Sequence, residues 1–182
     1  MKATFTISAW RQRLARSLHL SRSKPEAKYI QLATLNNEGF VQNRTLVFRG
    51  FVDESDHIIM ITDTRSDKFH ALQVHSQAEI CWYFAKTREQ YRLSGNIKIF
   101  ANSSDLRTSV WNKISPAAKS QFYWYLDEEL VNELSLNNII PDTFCVLLLE
   151  TQQVDYLLLA DQHERIKCQL IDKKWQETNI NP

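Results

Sequence analysis

The sequence predicts a mainly β domain with flanking helices, its strands curled into a closed or split β-barrel. Two observations carry that prediction. Apolar residues recur with a period of two over most of the chain, which is the strand signature. So many strands with only three glycines also favour a sheet that manages its edges by curling on itself. At 182 residues the chain fits one domain, 1–182, large enough to bury a core without staples.

Trp10, Leu14 and Leu18 recur at helical spacing, so residues 7–20 read as an amphipathic helix. Arg11, Arg13 and Arg16 are expected on its solvated face. Ser21-Arg-Ser-Lys-Pro25 breaks the pattern. KYIQLATL (28–35) reads as a strand, Asn36-Asn-Glu-Gly39 as a turn, and FVQNRTLVFRGFV (40–52) as a second strand. HIIMIT (57–62) is a short strand expected to be buried on both faces. Ser66 is placed to cap a helix over 66–75, with Phe69 and Leu72 facing inward. AEICWYF (78–84) and EQYRLSGNIKIF (89–100) form a hairpin. Residues 103–135 are helical in character, with Ser103 or Ser104 capping one segment and Ser115-Pro116 opening another. TFCVLLLETQQVDYLLL (143–159), ERIKCQLI (164–171) and a segment around Trp175 return to strands.

Composition removes several function classes. The net charge of +1 gives no general attraction to nucleic acid or to a membrane, so any bound anion must be held by a local cluster. The first ten residues lack the apolar core of a signal peptide, and no apolar run reaches transmembrane length; a cytoplasmic protein is expected. Cys81, Cys145 and Cys168 form neither a disulfide framework nor a CxxC pair, and Cys81 and Cys145 are expected in the core. Histidines 19, 57, 70, 75 and 163 have no metal-binding spacing. There is no GxSxG elbow, no GxGxxG and no P-loop. Asp127-Glu128-Glu129 reads as a solvated face.

One constellation remains. Arg44 lies mid-strand and Arg49 five residues on, an offset that puts them on opposite faces unless a bulge intervenes. Thr62 closes the next strand, and Thr64-Arg65-Ser66-Asp67-Lys68 turns into a helix. Hydroxyls, free N–H groups at a helix start and a nearby lysine suit a phosphate, and Arg44 on the adjacent strand can reach the same anion. The same segment also reads as an ordinary capped helix with surface charges.

From about residue 28 to 100 the order NRTLVFRG, MITDTRSDKFHAL, CWYFAKTREQYRLSGNIK resembles the core signature of the pyridoxamine 5'-phosphate oxidase family. Its pattern is an Arg-x-Val-Leu-Leu-Lys strand, a Tyr-Thr-Asn-x-x-Ser-Arg-Lys turn into a helix, and an Arg-Gln-Val-Arg-x-x-Gly strand. The resemblance implies an FMN-binding split barrel, built as a homodimer with flavin between subunits. By position, Arg44 and Lys68 would hold the FMN phosphate, with Thr62 and Ser66 donating hydrogen bonds. The backbone of Thr45, Leu46 and Val47 would follow the isoalloxazine ring, Ile61 would stand beside it, and Gln90 would meet the flavin. Arg49 replaces a family lysine near ring and substrate; a cation there would stabilise charge on the reduced flavin after hydride transfer at N5.

The chain also departs from the family. Asp67 occupies a position that is usually arginine, so a phosphate contact is lost or supplied by Arg65. The family's Tyr, Arg and Ser for the substrate phosphate meet Trp111, Lys113 and Ser115 or Ser120 here. The family's Arg-x-His pair becomes His163-Glu164-Arg165. These differences favour an FMN-dependent oxidoreductase of the oxidase-related type, acting on an unidentified small molecule. Two other readings stay open: a genuine pyridoxamine 5'-phosphate oxidase, and a non-catalytic flavin-binding protein whose pocket is filled by Trp111, Phe122, Tyr123 and Trp124.

Overall fold

In the computed structural model, which describes residues 7–124, 126–127, 130–131 and 139–181, the period-two segments form one antiparallel sheet. Its strands are β1 (Tyr29–Leu35), β2 (Val41–Val47), β3 (Gly50–Phe51), β4 (Ile58–Asp63), β5 (Gln77–Phe84), β6 (Glu89–Phe100), β7 (Phe144–Leu158), β8 (Glu164–Ile171) and β9 (Lys174–Ile180). The order across the sheet is β2-β1-β5-β6-β7-β4-β3, with the β8–β9 hairpin added beside β7. The helices are α1 (Ala9–Leu20), α2 (Asp67–Val74), α3 (Asp105–Lys113) and α4 (Pro116–Ser120). No helix among the described residues is long and apolar enough to cross a membrane.

The long strand β7 organises the barrel. Its first half pairs with β4 and its second half with β8, while β6 runs along its other edge. The ladder shifts register at Ser94/Gly95, a bulge that bends the sheet so that it can fork. A Cβ at Gly95 would collide with the carbonyl oxygen of Glu150 and lie 2.9 Å from its carbon. Only glycine allows the strands this close. Inside, Ile30, Leu32, Met60, Ile80, Trp82, Leu93, Leu147 and Leu149 fill the main core, and α1 closes one end with Trp10 and Leu14. A second apolar cluster packs α3 and α4 onto β4 and β7 through Val110, Trp111, Phe122, Tyr123, Phe144 and Val146.

Three local expectations change. The second strand is not continuous over 40–52. Its last ladder bond to the β1 side is Phe48 N–H to Lys28 O at 2.8 Å, and the next residue, Arg49, donates to Ile59 O at 2.9 Å. The chain therefore transfers from one neighbour to another between Phe48 and Arg49, and Gly50 takes φ +138° to permit it. Cys81 is half-buried rather than a core residue, because the inward positions of β5 are Ile80 and Trp82. Arg11 and Arg13 do not form a plain solvated face. Arg11 donates to Ser55 O and lies over the Phe51 ring, and Arg13 pairs with Glu177 at 2.9 Å. Ser104 and Ser115 do cap α3 and α4. The acidic run reaches residues 128–129, which lie outside the described residues, as does most of 125–138.

Among the described residues, β4 beyond Ile59 has no ladder partner on the side away from β7, and β2 has none on the side away from β1. These two open edges face each other, and the split between them holds the candidate site.

Candidate functional site

Register decides what β2 brings to the split. Arg44 lies opposite Leu32 and Leu46 opposite Ile30; both partners are fully buried. Gln42, Arg44 and Leu46 therefore share the inner face of the barrel wall, at its unpaired margin. The Arg44 guanidinium donates to Thr34 Oγ1 (2.6 Å), Leu32 O (3.2 Å) and Gln42 Oε1 (3.2 Å). Across the split, Lys68 Nζ donates to Thr62 Oγ1 at 3.0 Å, and Thr62 Oγ1 lies 3.2 Å from Ser66 Oγ. Arg44, Ser66, Asp67, Lys68, Arg65 and Gln42 border a basin of about 800 Å³.

Its electrostatics fit an anion. Burial lowers the Lys68 pKa below the usual lysine value, and the charge of Arg44 lowers it further against the opposing pull of Asp63 and Asp67. Burial likewise lowers that of Arg44. Two half-desolvated cations that disfavour one another are relieved by a shared anion. At the start of α2, Asp67 and Lys68 also carry N–H groups that the helix itself does not use. Ser66 stands at the N-cap position but does not cap: its hydroxyl donates to Asp63 O at 2.7 Å instead. Arg65 forms a two-pronged pair with Asp63 at 2.9 and 2.6 Å. Burial alone would raise the Asp63 carboxyl, but the Arg65 hydrogen bonds outweigh it and hold the pKa low. Arg65 thus borders the basin while committed to Asp63.

The basin opens into a cleft of about 620 Å³ lined by Leu46, Ile61, Thr62, Lys68, Phe122 and Trp124. Asp63, Ser120 and Gln121 also line it, but apolar surface predominates, which suits a flat aromatic group. Along β4, two residues from Ile61, Ile59 lines a third hollow of about 450 Å³. Positions two apart lie on the same face about 7 Å from each other, so the hollows follow one another along the split. Arg49 borders the third, with Lys28, Lys113, Asp53, Ser109 and Ser115 around it, three cations to one carboxylate, and Phe48, Phe51, Val110 and Ile114 as its apolar residues. Burial lowers the Arg49 pKa, and its Nε is buried with no hydrogen-bond partner. Among the described residues, Lys28, Arg49 and Lys113 form no ion pair.

The structure therefore brings Arg44, Thr62, Ser66 and Lys68 together, sets Leu46 and Ile61 beside them, and separates Arg49 into a neighbouring hollow. The side chains of Thr45 and Val47 alternate to the other face of β2, where the Thr45 hydroxyl accepts from Gln31 at 2.9 Å, though Thr45 still borders the basin. Gln90 pairs with Tyr83 and Leu157, so β5 and β1 separate it from β2, about 14 Å away. It borders none of the three hollows described above. Arg165 is held by Asp155 at 2.7 Å on β8. Of the four aromatics that could fill the pocket, Trp111, Phe122 and Tyr123 pack into the second core cluster, Trp111 is fully buried, and Phe122 and Trp124 border the cleft. Thr34 and Gln42, which hold Arg44, escape a motif search, although their place on one face is readable from the period of two. No local signal marks Lys28, which reaches the third hollow only through the transfer at Phe48.

Three comparisons with known proteins bear on this arrangement. Residues 7–101 match the family model described as pyridoxamine 5'-phosphate oxidase, FMN-binding domain. A pyridoxine/pyridoxamine 5'-phosphate oxidase 2 of Arabidopsis thaliana is 31% identical over 97% of this chain and 98% of its own length. Among solved structures, a pyridoxamine 5'-phosphate oxidase-related, FMN-binding protein of Nostoc punctiforme is 38% identical, with TM-score 0.88 over 97% of this chain and 100% of that one. PhzG of Burkholderia lata, solved with tetrahydrophenazine-1-carboxylic acid, shares the fold at TM-score 0.75 and 21% identity, over 95% of this chain and 91% of its own.

Proposed function

Because this chain belongs to the pyridoxamine 5'-phosphate oxidase FMN-binding family, we propose that it is an FMN-dependent oxidoreductase with the flavin in the split between β2 and β4. The observation that carries this reading is the order of the hollows: a two-cation basin, an apolar slot, then a second cationic pocket. Arg44 and Lys68 hold the phosphate, supported by Ser66 and Thr62, and the ring lies against Leu46 and Ile61. FMN supplies hydride-accepting chemistry when bound. Arg49 is the chain's own contribution beyond binding: a fixed positive charge between ring and substrate, held in a partly dry setting where charge acts strongly. Around it, Lys28, Lys113, Ser109 and Ser115 receive an anionic group on the substrate, while Phe48, Phe51 and Ile114 exclude water. No strong side-chain base is required.

The protein acts as a homodimer in this reading. The exposed Phe40 and Val41 at the start of β2, with Tyr29 and Tyr83 on the outer face, offer a surface for a second copy, which would bring its own Gln90 toward the flavin. Light scattering tests this, and a monomer in the FMN-loaded state refutes it.

The absorption spectrum of the purified protein, with the released cofactor identified by mass, tests the cofactor. A flavin spectrum and the mass of FMN are expected. A colourless protein that also fails to bind added FMN overturns the proposal. The Arabidopsis relative's name favours a second reading, oxidation of pyridoxine or pyridoxamine 5'-phosphate; formation of pyridoxal phosphate and hydrogen peroxide from either compound decides for it.

A further inference from the structure

The inner face of β1 carries Ile30, Leu32 and Thr34. The first two are fully buried, and Thr34 is only 3% exposed, so a hydroxyl stands where the barrel otherwise places hydrocarbon. A buried hydroxyl is unfavourable unless it is hydrogen-bonded, and this one has a specific partner. Thr34 Oγ1 accepts from Arg44 Nη1 at 2.6 Å, and the same Nη1 donates to Leu32 O at 3.2 Å. Nη2 of Arg44 donates to Gln42 Oε1 at 3.2 Å, and Gln42 lies directly opposite Thr34 in the ladder.

These bonds decide which part of Arg44 is left for an anion. A guanidinium has two hydrogens on each Nη and one on Nε. Leu32 and Thr34 take both hydrogens of Nη1, and Gln42 takes one from Nη2. The Nε–H and one Nη2–H remain. They share one edge of the planar group, and such an edge matches two oxygens of a phosphate. With Nη1 held against the barrel wall, that edge is the one left to the basin that Arg44 borders. The bond to Leu32 O alone would let the group swing; the Thr34 hydroxyl supplies the second point that fixes its plane.

We propose that Thr34 is a positioning residue for the cofactor phosphate: it sets the Arg44 guanidinium so that Nε and Nη2 meet the anion side by side. The inference rests on the assignment of this basin to the phosphate of FMN. Thr34 acts through Arg44 and lines neither the basin nor the cleft. The role also accounts for the break in the apolar pattern of β1, where valine would fill the same space without a hydroxyl to desolvate.

FMN and riboflavin, which lacks the phosphate, are titrated into apoprotein and followed by flavin fluorescence. Thr34→Val keeps the branched shape and removes the hydroxyl. It is expected to bind FMN about three- to tenfold more weakly, the range for one hydrogen bond, and to bind riboflavin as the wild type does. Thr34→Ser, which retains a hydroxyl, is expected to recover most of the FMN affinity. In an Arg44→Ala background, Thr34→Val is expected to have no further effect, because the group it positions is gone. A merely structural role would weaken both flavins alike and in both backgrounds. Unchanged FMN affinity in Thr34→Val, equal losses for the two flavins, or a loss that persists without Arg44 overturns the inference while leaving the flavin site intact. A wild type that binds no FMN overturns the flavin reading and the inference with it.

Discussion

Removal of Arg44 is the most direct test of how the chain holds its cofactor. A guanidinium has five N–H donors. Three interactions, to Thr34 Oγ1, Leu32 O and Gln42 Oε1, fix the side chain and leave donors for a phosphate. A charge-assisted hydrogen bond is worth about 1.5–3 kcal/mol, or about ten- to hundredfold in affinity. Arg44 is only half-buried, so solvent screening places the expected loss near the lower end, about tenfold. A second effect opposes part of it: without Arg44, the Lys68 ammonium is freed of its repulsive neighbour and grips the phosphate more firmly. Titration of FMN into Arg44→Ala by fluorescence is therefore expected to show about a tenfold weaker Kd. Titration with riboflavin, which lacks the phosphate, is expected to show almost no change between wild type and variant. Equal losses for both flavins, or FMN affinity within twofold of wild type, refute the phosphate assignment.

Lys68 should impose an alkaline limit on FMN binding. Its lowered pKa rises when a phosphate binds, so affinity is full below the free-protein value and falls as pH climbs through it. Lys68→Arg should abolish that limb, since arginine stays charged; a limb that persists in the variant assigns it to another group. Arg49→Gln should leave FMN affinity within about twofold but lower turnover of whatever anionic substrate is found, checked by titration and steady-state rates. Gly50→Ala should cost about 1–3 kcal/mol, because φ +138° is strained for any side chain, with the midpoint of thermal unfolding as the measurement. Gly95→Ala should be at least as costly, since its Cβ meets backbone on β7, and a midpoint equal to wild type would contradict the bulge geometry.

The strands were legible because burial alternates on them as the residues do: Ile30, Leu32 and Thr34 point inward on β1, and Ile80, Trp82 and Phe84 on β5. The grouping of Thr62, Ser66 and Lys68 with Arg44, which the proposal gives to a phosphate, was legible too: the first three lie close together in the chain, and period two carries Arg44 to the same face as its buried neighbours' partners. What was not legible depends on partners distant in sequence. Cys81 looked like core in an apolar run, yet its face of β5 turns outward beside Glu79 and Arg92. The aromatic stretch after α3 gave no hint that Trp111 enters the core while Trp124, thirteen residues on by sequence number, stays at the cleft. Composition is the same in both cases; only the packing of α3 and α4 on β7 tells them apart.

The transfer between Phe48 and Arg49 places the two arginines of one short motif in two different hollows. In an unbroken strand, Arg44 and Arg49 would lie on opposite faces of one sheet, with one of them turned to bulk solvent. Here the chain leaves β1 after Phe48 and joins β4 at Arg49. Both cations consequently stay on the split, but in successive hollows with Leu46 between them along the chain. Separation lets each charge act on a different group. Arg44 faces Lys68, where Asp63 and Asp67 offset part of the repulsion and a bound anion would offset more. Arg49 sits with Lys28 and Lys113, its Nε buried and unpartnered. In the proposed function this second set of cations, with Asp53 and the apolar residues of the same hollow around it, is what an anionic substrate would meet.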